Sequence, residues 1–254
     1  DRQLTNLREG FRVSDLRFET YRMSGADVGA ENPLPPLSRG KDHRIDEAKY
    51  SGFSAEMLEQ MAYGHPDNYL PYTMQDRYTR ALQERDFQVA VLENDTLKAA
   101  FLLELGGRSR SLIHKPTGRE LLEANPIFQP ANLAVRNAWF SGGVEWNIGM
   151  LGHFPLTCDP LFAGCVATPD GTPVLRMWEW ERLRQTPYQI DAWLPDDSAV
   201  LYVRVRISNP HDDEVPMSWW SNAAVPETSA TRVLVPADSA YNFGYGEGGP
   251  ARVD

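Results

Sequence analysis

The sequence predicts an all-β sandwich, and three observations carry that prediction. From residue 87 onward, apolar residues recur with a period of two, which is the spacing of half-buried β-strands. Turn signals rich in Pro, Gly, Asn and Asp separate these short runs about every 8 to 12 residues. Helical segments do not alternate with the strands, as they would in a parallel α/β fold. The pattern therefore favours antiparallel sheets packed face to face.

Residues 1–86 are predicted to form an irregular N-terminal arm with one short helix. Stretches 31–40 and 63–72 are rich in residues that fix turns and prevent long regular elements. Ser54 is a suitable N-cap for the helix. Stretch 11–23 has the composition to supply one or two strands. Because the arm lacks the apolar periodicity of an independent core, we expect it to wrap around another unit.

Residues 87–254 are predicted to hold the sandwich. Two apolar runs are broken at Asn94 and Asp95, a sequence typical of a β-hairpin turn. Another strand follows, with a turn at 115–118. The later runs predict an antiparallel meander of four strands, at 174–183, 187–194, 199–208 and 214–225.

Composition excludes several classes of partner and cofactor. The 35 acidic residues outnumber the 25 Lys and Arg, for a net charge of -10, so nucleic acid is not an expected partner. No run approaches the roughly 20 apolar residues of a membrane span, and no signal peptide is recognisable, so we expect no membrane partner and a cytoplasmic location. The two cysteines form neither a disulfide framework nor a zinc motif.

Familiar catalytic motifs are missing as well. The sequence has no HExxH, GxSxG or P-loop, and no GxGxxG before a helix, so we expect neither a metal nor another cofactor. Because it begins at Asp1 rather than Met, we expect a piece of a longer or processed chain. The sequence leaves the oligomeric state open.

Stretch 125–154 is the densest candidate site. It is too rich in Asn and Gly for a plain strand and is predicted to be a long functional loop. Aromatic faces and planar hydrogen-bonding groups together suit a pyranose. The candidate carbohydrate contacts here are Arg136, Asn137, Trp139, Trp146 and Asn147. The alternative is that these side chains only fasten the loop to the sandwich.

Two other aromatic groups follow. Trp219 and Trp220 are adjacent on a predicted strand, so one should face the core and the other a cleft. We expect Trp220 and the nearby Asn222 to contact the carbohydrate. Trp178 and Trp180 share one strand face, and we interpret that stripe as packing rather than a ligand platform.

Carboxylates are the expected acid and base. Glu145 lies between two apolar residues, so we expect its pKa to be raised and name it the leading catalytic residue. The alternative is a structural ion pair of Glu145 with Arg136 or Arg108. Glu227 is a possible catalytic partner, with Asp191 and Glu179 as weaker candidates. His153 is the histidine that lies in the dense stretch.

The motifs resemble a known fold family. Residues 90–121 resemble the opening of the galactose mutarotase-like supersandwich, where two strands lead to a Gly-rich strand. More closely, four motifs are similar to a bacterial family of unknown function whose members carry this domain at the N-terminus, many with tetratricopeptide repeats. These motifs are ELGGRSRSLIHKPTGRELL, NPIFQPANLAVRNAWFSGGVEWNIG, GHFPLTC and NPHDDEVPMSWWSNAAVPET. The resemblance covers about residues 65–245.

The resemblance implies an antiparallel β-supersandwich that binds carbohydrate, a fold shared by aldose epimerases and by domains of some glycoside hydrolases and polysaccharide lyases. His153 takes the place of a ligand-contacting histidine. Arg108 takes the place of an arginine on the second strand, and we expect it to contact the substrate. Asn222 occupies the place of the epimerases' catalytic histidine, and their catalytic glutamate would lie beyond residue 254. The comparison thus implies an incomplete sandwich, with further domains of the same chain as partners.

Three functional hypotheses follow. The first is a glycoside hydrolase that uses two carboxylates, with Glu145, His153 and Glu227 as its catalytic residues. The second is a non-catalytic carbohydrate-binding module of a repeat-containing protein. The third is an epimerase-like activity with rearranged catalytic groups.

Overall fold

The computed structural model describes residues 14–36, 53–62, 66, 68–149, 152–243 and 250–253. Over these ranges the chain is nearly all β, which confirms the predicted β-sandwich class. The helix is α1 (Ala55–Ala62). The strands are β1 (Asp15–Gly25), β2 (Gln83–Glu93), β3 (Leu97–Leu102), β4 (Arg108–His114), β5 (Arg119–Glu120), β6 (Ile127–Phe128), β7 (Ala131–Ala134), β8 (Asn137–Trp139), β9 (Val144–Ile148), β10 (Phe162–Ala167), β11 (Pro173–Glu181), β12 (Thr186–Trp193), β13 (Tyr202–Ile207), β14 (Trp219–Ala223), β15 (Ala240–Phe243) and β16 (Pro250–Val253).

Two sheets form the sandwich. The main sheet has eight strands in the order β14-β9-β4-β3-β2-β1-β6, with β5 paired to β4. Its neighbours are antiparallel except for β1 and β6. The second sheet is the antiparallel series β10-β11-β12-β13. The pairs β7-β8 and β15-β16 stand apart as small hairpins.

The core lies between these sheets. Alternate residues of the main sheet, such as Leu92 and Phe101, are buried in one cluster with Met177 and Ile190 of the second sheet. The intervening residues of β2, such as Val91, point to the opposite face and pack in a separate cluster. The main sheet is therefore covered on both faces.

The predicted arm contributes to the main sheet. Strand β1 lies within it and pairs with β2 along all 11 of its residues, from Asp15 opposite Glu93 to Gly25 opposite Gln83. The predicted helix is present, and the Ser54 hydroxyl caps it by accepting a hydrogen bond from the Met57 amide at 3.2 Å. The division of the chain at residue 86 stays a prediction.

Two local predictions are wrong, and one is confirmed. Stretch 125–154 is not one loop, because it forms β6 to β9, with β9 between β14 and β4. The fourth meander strand pairs with β9 in the main sheet instead of β13. The hairpin turn is confirmed, since the Asn94 Oδ1 atom accepts hydrogen bonds from the amides of Thr96 and Leu97.

Candidate functional site

Strand β9 places the candidate residues on two sides of the main sheet. Glu145 and Asn147 alternate with Trp146, so they point away from the core between the sheets. On the neighbouring strand β14, Trp220 lies opposite Asn147 and Asn222 lies opposite Glu145. Because opposite residues of paired strands share a face, these four side chains belong to one side of the sheet.

Trp146 belongs to the core, which corrects its assignment as a carbohydrate contact. Its Nε1 atom donates to the Gly107 carbonyl at 2.9 Å, and its ring stacks on Trp219 with centroids 6.2 Å apart. The expectation that one of the two adjacent tryptophans faces the core is confirmed for Trp219. A ligand on the Glu145 side of the sheet cannot reach the Trp146 ring.

Glu145 is the centre of a buried polar cluster, with only 2% of its surface exposed. Its Oε2 atom lies 2.9 Å from His153 Nδ1. Its Oε1 atom accepts hydrogen bonds from Trp139 Nε1 and from the Thr157 hydroxyl, both at 3.0 Å. The guanidinium of Arg108 lies 3.7 Å away. Both carboxylate oxygens therefore have protein partners.

The electrostatics of Glu145 differ from the expectation. Burial alone would raise its pKa, but the hydrogen bond with His153, the charge of Arg108 and the indole of Trp139 together lower the pKa below the ordinary glutamate value. The prediction of a raised pKa is therefore wrong. Glu145 is an ionised group in an ion pair with Arg108, as the alternative interpretation held, and it is not suited to donate a proton.

His153 has one ring nitrogen in the cluster and one outside it. Because an ionised carboxylate can only accept, the imidazole Nδ1 must carry the hydrogen that it shares with Glu145. In the neutral ring, Nε2 is then an acceptor, and it has no hydrogen-bond partner among the described residues. The rings of Trp139 and Trp220 flank the imidazole, with centroids 5.1 Å and 5.2 Å away.

Arg108 is a buried side chain that contacts Thr157 and Glu145 of the cluster. It donates to the Gly142 carbonyl at 2.7 Å and to the Thr157 hydroxyl at 3.1 Å, and its guanidinium lies 4.0 Å from the centroid of the Phe140 ring. It is only 3% exposed. The predicted ligand contact is therefore corrected: Arg108 positions Glu145 and is too buried to touch a ligand there.

Arg136 lies in a different network. Its side chain is 1% exposed. It donates to the Thr73 carbonyl at 2.6 Å and forms ion pairs with Glu31 at 2.6 Å and Asp159 at 3.0 Å. This guanidinium fastens the N-terminal part of the chain to the loop after β9. Its assignment as a carbohydrate contact is therefore wrong, because its donors are already used.

The two predicted asparagines of this region have separate positions. Asn137 begins β8 with a φ of 83° and forms a bridge with Gln75. Asn147 is fully buried, and its Oδ1 atom accepts from the Phe154 amide at 2.7 Å. Asn147 therefore holds the segment beside His153 and is not open to a ligand, contrary to its prediction.

The remaining candidates lie at the surface. Asn222 is exposed on the same side of the sheet as Glu145. Glu227 is exposed after β14, and it is not one of the described partners of the Glu145 carboxylate. The structure thus groups Glu145, His153, Trp139 and Trp220 and leaves Glu227 outside that group.

Thr157 is a member of the cluster that the sequence analysis did not name. Its hydroxyl donates to Glu145 while it accepts from Arg108. The available signal was its place in GHFPLTC, the motif that also contains His153.

Two other properties of the described residues bear on function. No group of three His, Cys, Asp or Glu side chains among them is arranged to hold a metal ion. In the same ranges, none of the helical structure is long and apolar enough to cross a membrane.

The fold and the cluster define a β-sandwich domain with a buried carboxylate–imidazole pair that meets the surface between two tryptophans. Residues 65–247 match the family described as a domain of unknown function (DUF5107), and the chain belongs to that family. The predicted membership of a family of unknown function is thereby confirmed.

A solved structure shares the fold. It is the crystal structure of a TPR-domain containing protein from Parabacteroides distasonis, with a TM-score of 0.65 and 21% sequence identity. The match covers 92% of this chain and 34% of the other, so this chain spans about a third of that protein's length. At this identity the likeness concerns the fold alone.

Proposed function

We propose that the chain binds a carbohydrate at His153, with a pyranose ring next to Trp139 and Trp220. The observation that carries the proposal is the orientation of the imidazole. Glu145 holds Nδ1, and Nε2 has no described protein partner between two indole rings. The resemblance of the motifs to the mutarotase-like supersandwich supports a sugar as the class of ligand.

The chemistry of a sugar fits these groups. A sugar hydroxyl donates a hydrogen bond to Nε2, while the C–H face of the ring packs on an indole. The exposed amide of Asn222, on the same side of the sheet, can both donate and accept. Binding therefore requires no group beyond those that the cluster already orients.

A second candidate function is acid–base catalysis at the anomeric centre, in the manner of an epimerase. His153 can take a proton from the anomeric hydroxyl at Nε2, and the ionised Glu145 stabilises the resulting imidazolium. The electron pair left on O1 forms the C1=O1 bond while the C1–O5 bond breaks, and the ring oxygen receives a proton from water. The observation that favours this reaction is the short contact of 2.9 Å between the carboxylate and the imidazole.

The first hypothesis, glycoside cleavage, is less well supported. Such cleavage uses two carboxyl groups about 5 to 10 Å apart, one of them protonated. Glu145 is ionised, and its two oxygens are hydrogen-bonded to Trp139 and His153. Glu227 lies outside the cluster. The geometry therefore favours binding, with or without proton transfer, over hydrolysis.

Calorimetric titration with glucose and galactose tests the binding proposal. We expect wild-type protein to bind at least one of the two sugars and His153→Ala to bind it about tenfold more weakly, since one hydrogen bond is lost. His114→Ala is the matched control, because this imidazole lies at the other end of β4 from Arg108 and contacts Thr117. The affinity of this variant should equal that of the wild type.

Nuclear magnetic resonance separates the candidate activities. Exchange between the α and β anomers faster than in buffer would support the epimerase-like reaction, whereas binding without faster exchange would support a recognition module. The proposal fails if neither sugar binds, or if His153→Ala binds as tightly as the wild type.

A further inference from the structure

The outer face of the second sheet carries exposed aromatic rings. Phe162, Trp178, Trp180 and Tyr202 expose 60%, 40%, 43% and 44% of their surfaces. These side chains point away from the core, so any packing of Trp178 and Trp180 is on the outer face of the sheet. An exposed group of large apolar side chains on one face is typical of a binding surface.

The rings form two stacked pairs. Phe162 stacks on Trp178 with centroids 5.8 Å apart, and Trp193 stacks on Tyr202 at 5.4 Å. The register places the first pair on β10 and β11 and the second on β12 and β13. The pairs are four residues apart along the strands, which corresponds to about 13 Å. A long flat ligand could contact both.

Arginines lie between and beside these pairs. Arg176 forms a two-pronged ion pair with Asp191, with both distances 2.8 Å. In the register, Arg204 lies opposite Asp191 and Arg206 opposite Gln189. Both of these arginines are exposed, and neither has an ion-pair partner among the described residues. This face thus carries three arginines and one aspartate on a chain with a net charge of -10.

The size of the face limits what it binds. Four strands about 4.8 Å apart and six residues of about 3.3 Å each give roughly 400 Å². A few linked sugar rings would cover an area of this size.

We propose that this face binds an acidic polysaccharide. Pyranose rings pack on the two aromatic pairs, and the carboxylates of the sugar units bind Arg204 and Arg206, because a guanidinium matches a carboxylate in shape and charge. The face belongs to the second sheet, whereas the His153 cluster belongs to the main sheet. The two sites are independent, and this proposal does not require the other.

Calorimetry with polygalacturonate and alginate tests the proposal, and methyl-esterified polygalacturonate keeps the sugar backbone but removes the charge. We expect wild-type protein to bind at least one of the two acidic polymers. If it binds polygalacturonate, it should bind the methyl ester at least tenfold more weakly. The double variant Arg204→Ala/Arg206→Ala should lose at least tenfold in affinity, and Trp178→Ala should also bind more weakly.

One control makes the result specific. Arg119→Ala removes an exposed arginine of the main sheet and should leave the affinity unchanged. The proposal is overturned if neither acidic polymer binds, if the ester binds as well as the acid, or if the double variant binds like the wild type. Self-association in sedimentation that Trp178→Ala abolishes would also overturn it, by assigning the face to a protein contact.

Discussion

Glu145→Ala is expected to lower the free energy of unfolding by about 3 to 5 kcal/mol, because it breaks a buried ion pair and leaves one charge without its partner. The substitution removes the counter-ion of Arg108, which is 3% exposed. It also leaves the Trp139 indole and the Thr157 hydroxyl without their acceptor.

Urea denaturation measures this loss, and the chain supplies a matched control. Glu227 is the other carboxylate predicted to be catalytic, but it is exposed. Glu227→Ala should therefore change the free energy of unfolding by no more than about 0.5 kcal/mol. Equal effects of the two substitutions would contradict the buried cluster.

The pH dependence of the stability difference between the wild type and Glu145→Ala gives an independent check. The pKa of Glu145 in the folded protein lies below its ordinary value of 4.5, because the hydrogen bond with His153 and the charge of Arg108 outweigh burial. The carboxylate therefore stabilises the fold fully above pH 4.5, and the stabilisation is lost as the pH falls through the folded pKa. The stability gap between wild type and Glu145→Ala should narrow in acid. A gap that widens there would mean that the folded pKa is raised.

Gly143→Ala is expected to be the most disruptive glycine substitution near the site. Gly143 has a φ of 67°, and an added Cβ would lie 2.2 Å from the Ser109 carbonyl oxygen. That oxygen belongs to the backbone of β4, so it cannot move without shifting the strand. We expect a loss of roughly 4 kcal/mol or more, in the range that marks a specific structural conflict.

Gly118→Ala is the control that separates the steric part of the Gly143→Ala stability loss from the part due to the left-handed backbone. Gly118 has nearly the same φ, 66°, but an added Cβ would meet nothing within 4 Å. Gly118→Ala should therefore cost only about 1 to 2 kcal/mol for the left-handed backbone. Urea denaturation of both variants measures the difference. Similar losses would show that the contact with β4 does not constrain Gly143.

Features that depend on residues close together in the chain could be predicted from the sequence. The cap at Ser54, the turn at Asn94 and the core-facing side of Trp219 each follow from local chemistry. Strand β9 was not predicted, because the main sheet is covered on both faces. In a half-exposed strand, polar residues such as Glu145 and Asn147 would face solvent, but here both are buried.

The details of the site depend on residues that are distant along the chain. The lowered pKa of Glu145 requires Arg108, which comes from β4. Arg136 is unavailable to a ligand because Glu31 and Thr73 occupy its donors, and both precede β2. No local pattern contains these pairings. The sequence could therefore point to the right group of side chains but could not separate supporting residues from open ones.

The most direct test of the central claim is the position of the ring hydrogen of His153, read from long-range ¹H–¹⁵N spectra. The account predicts a hydrogen on Nδ1, shared with Glu145, and a shift of the Nε2 resonance when a sugar that binds is added. A hydrogen on Nε2 instead, or an Nε2 resonance that does not respond to that sugar, would contradict it.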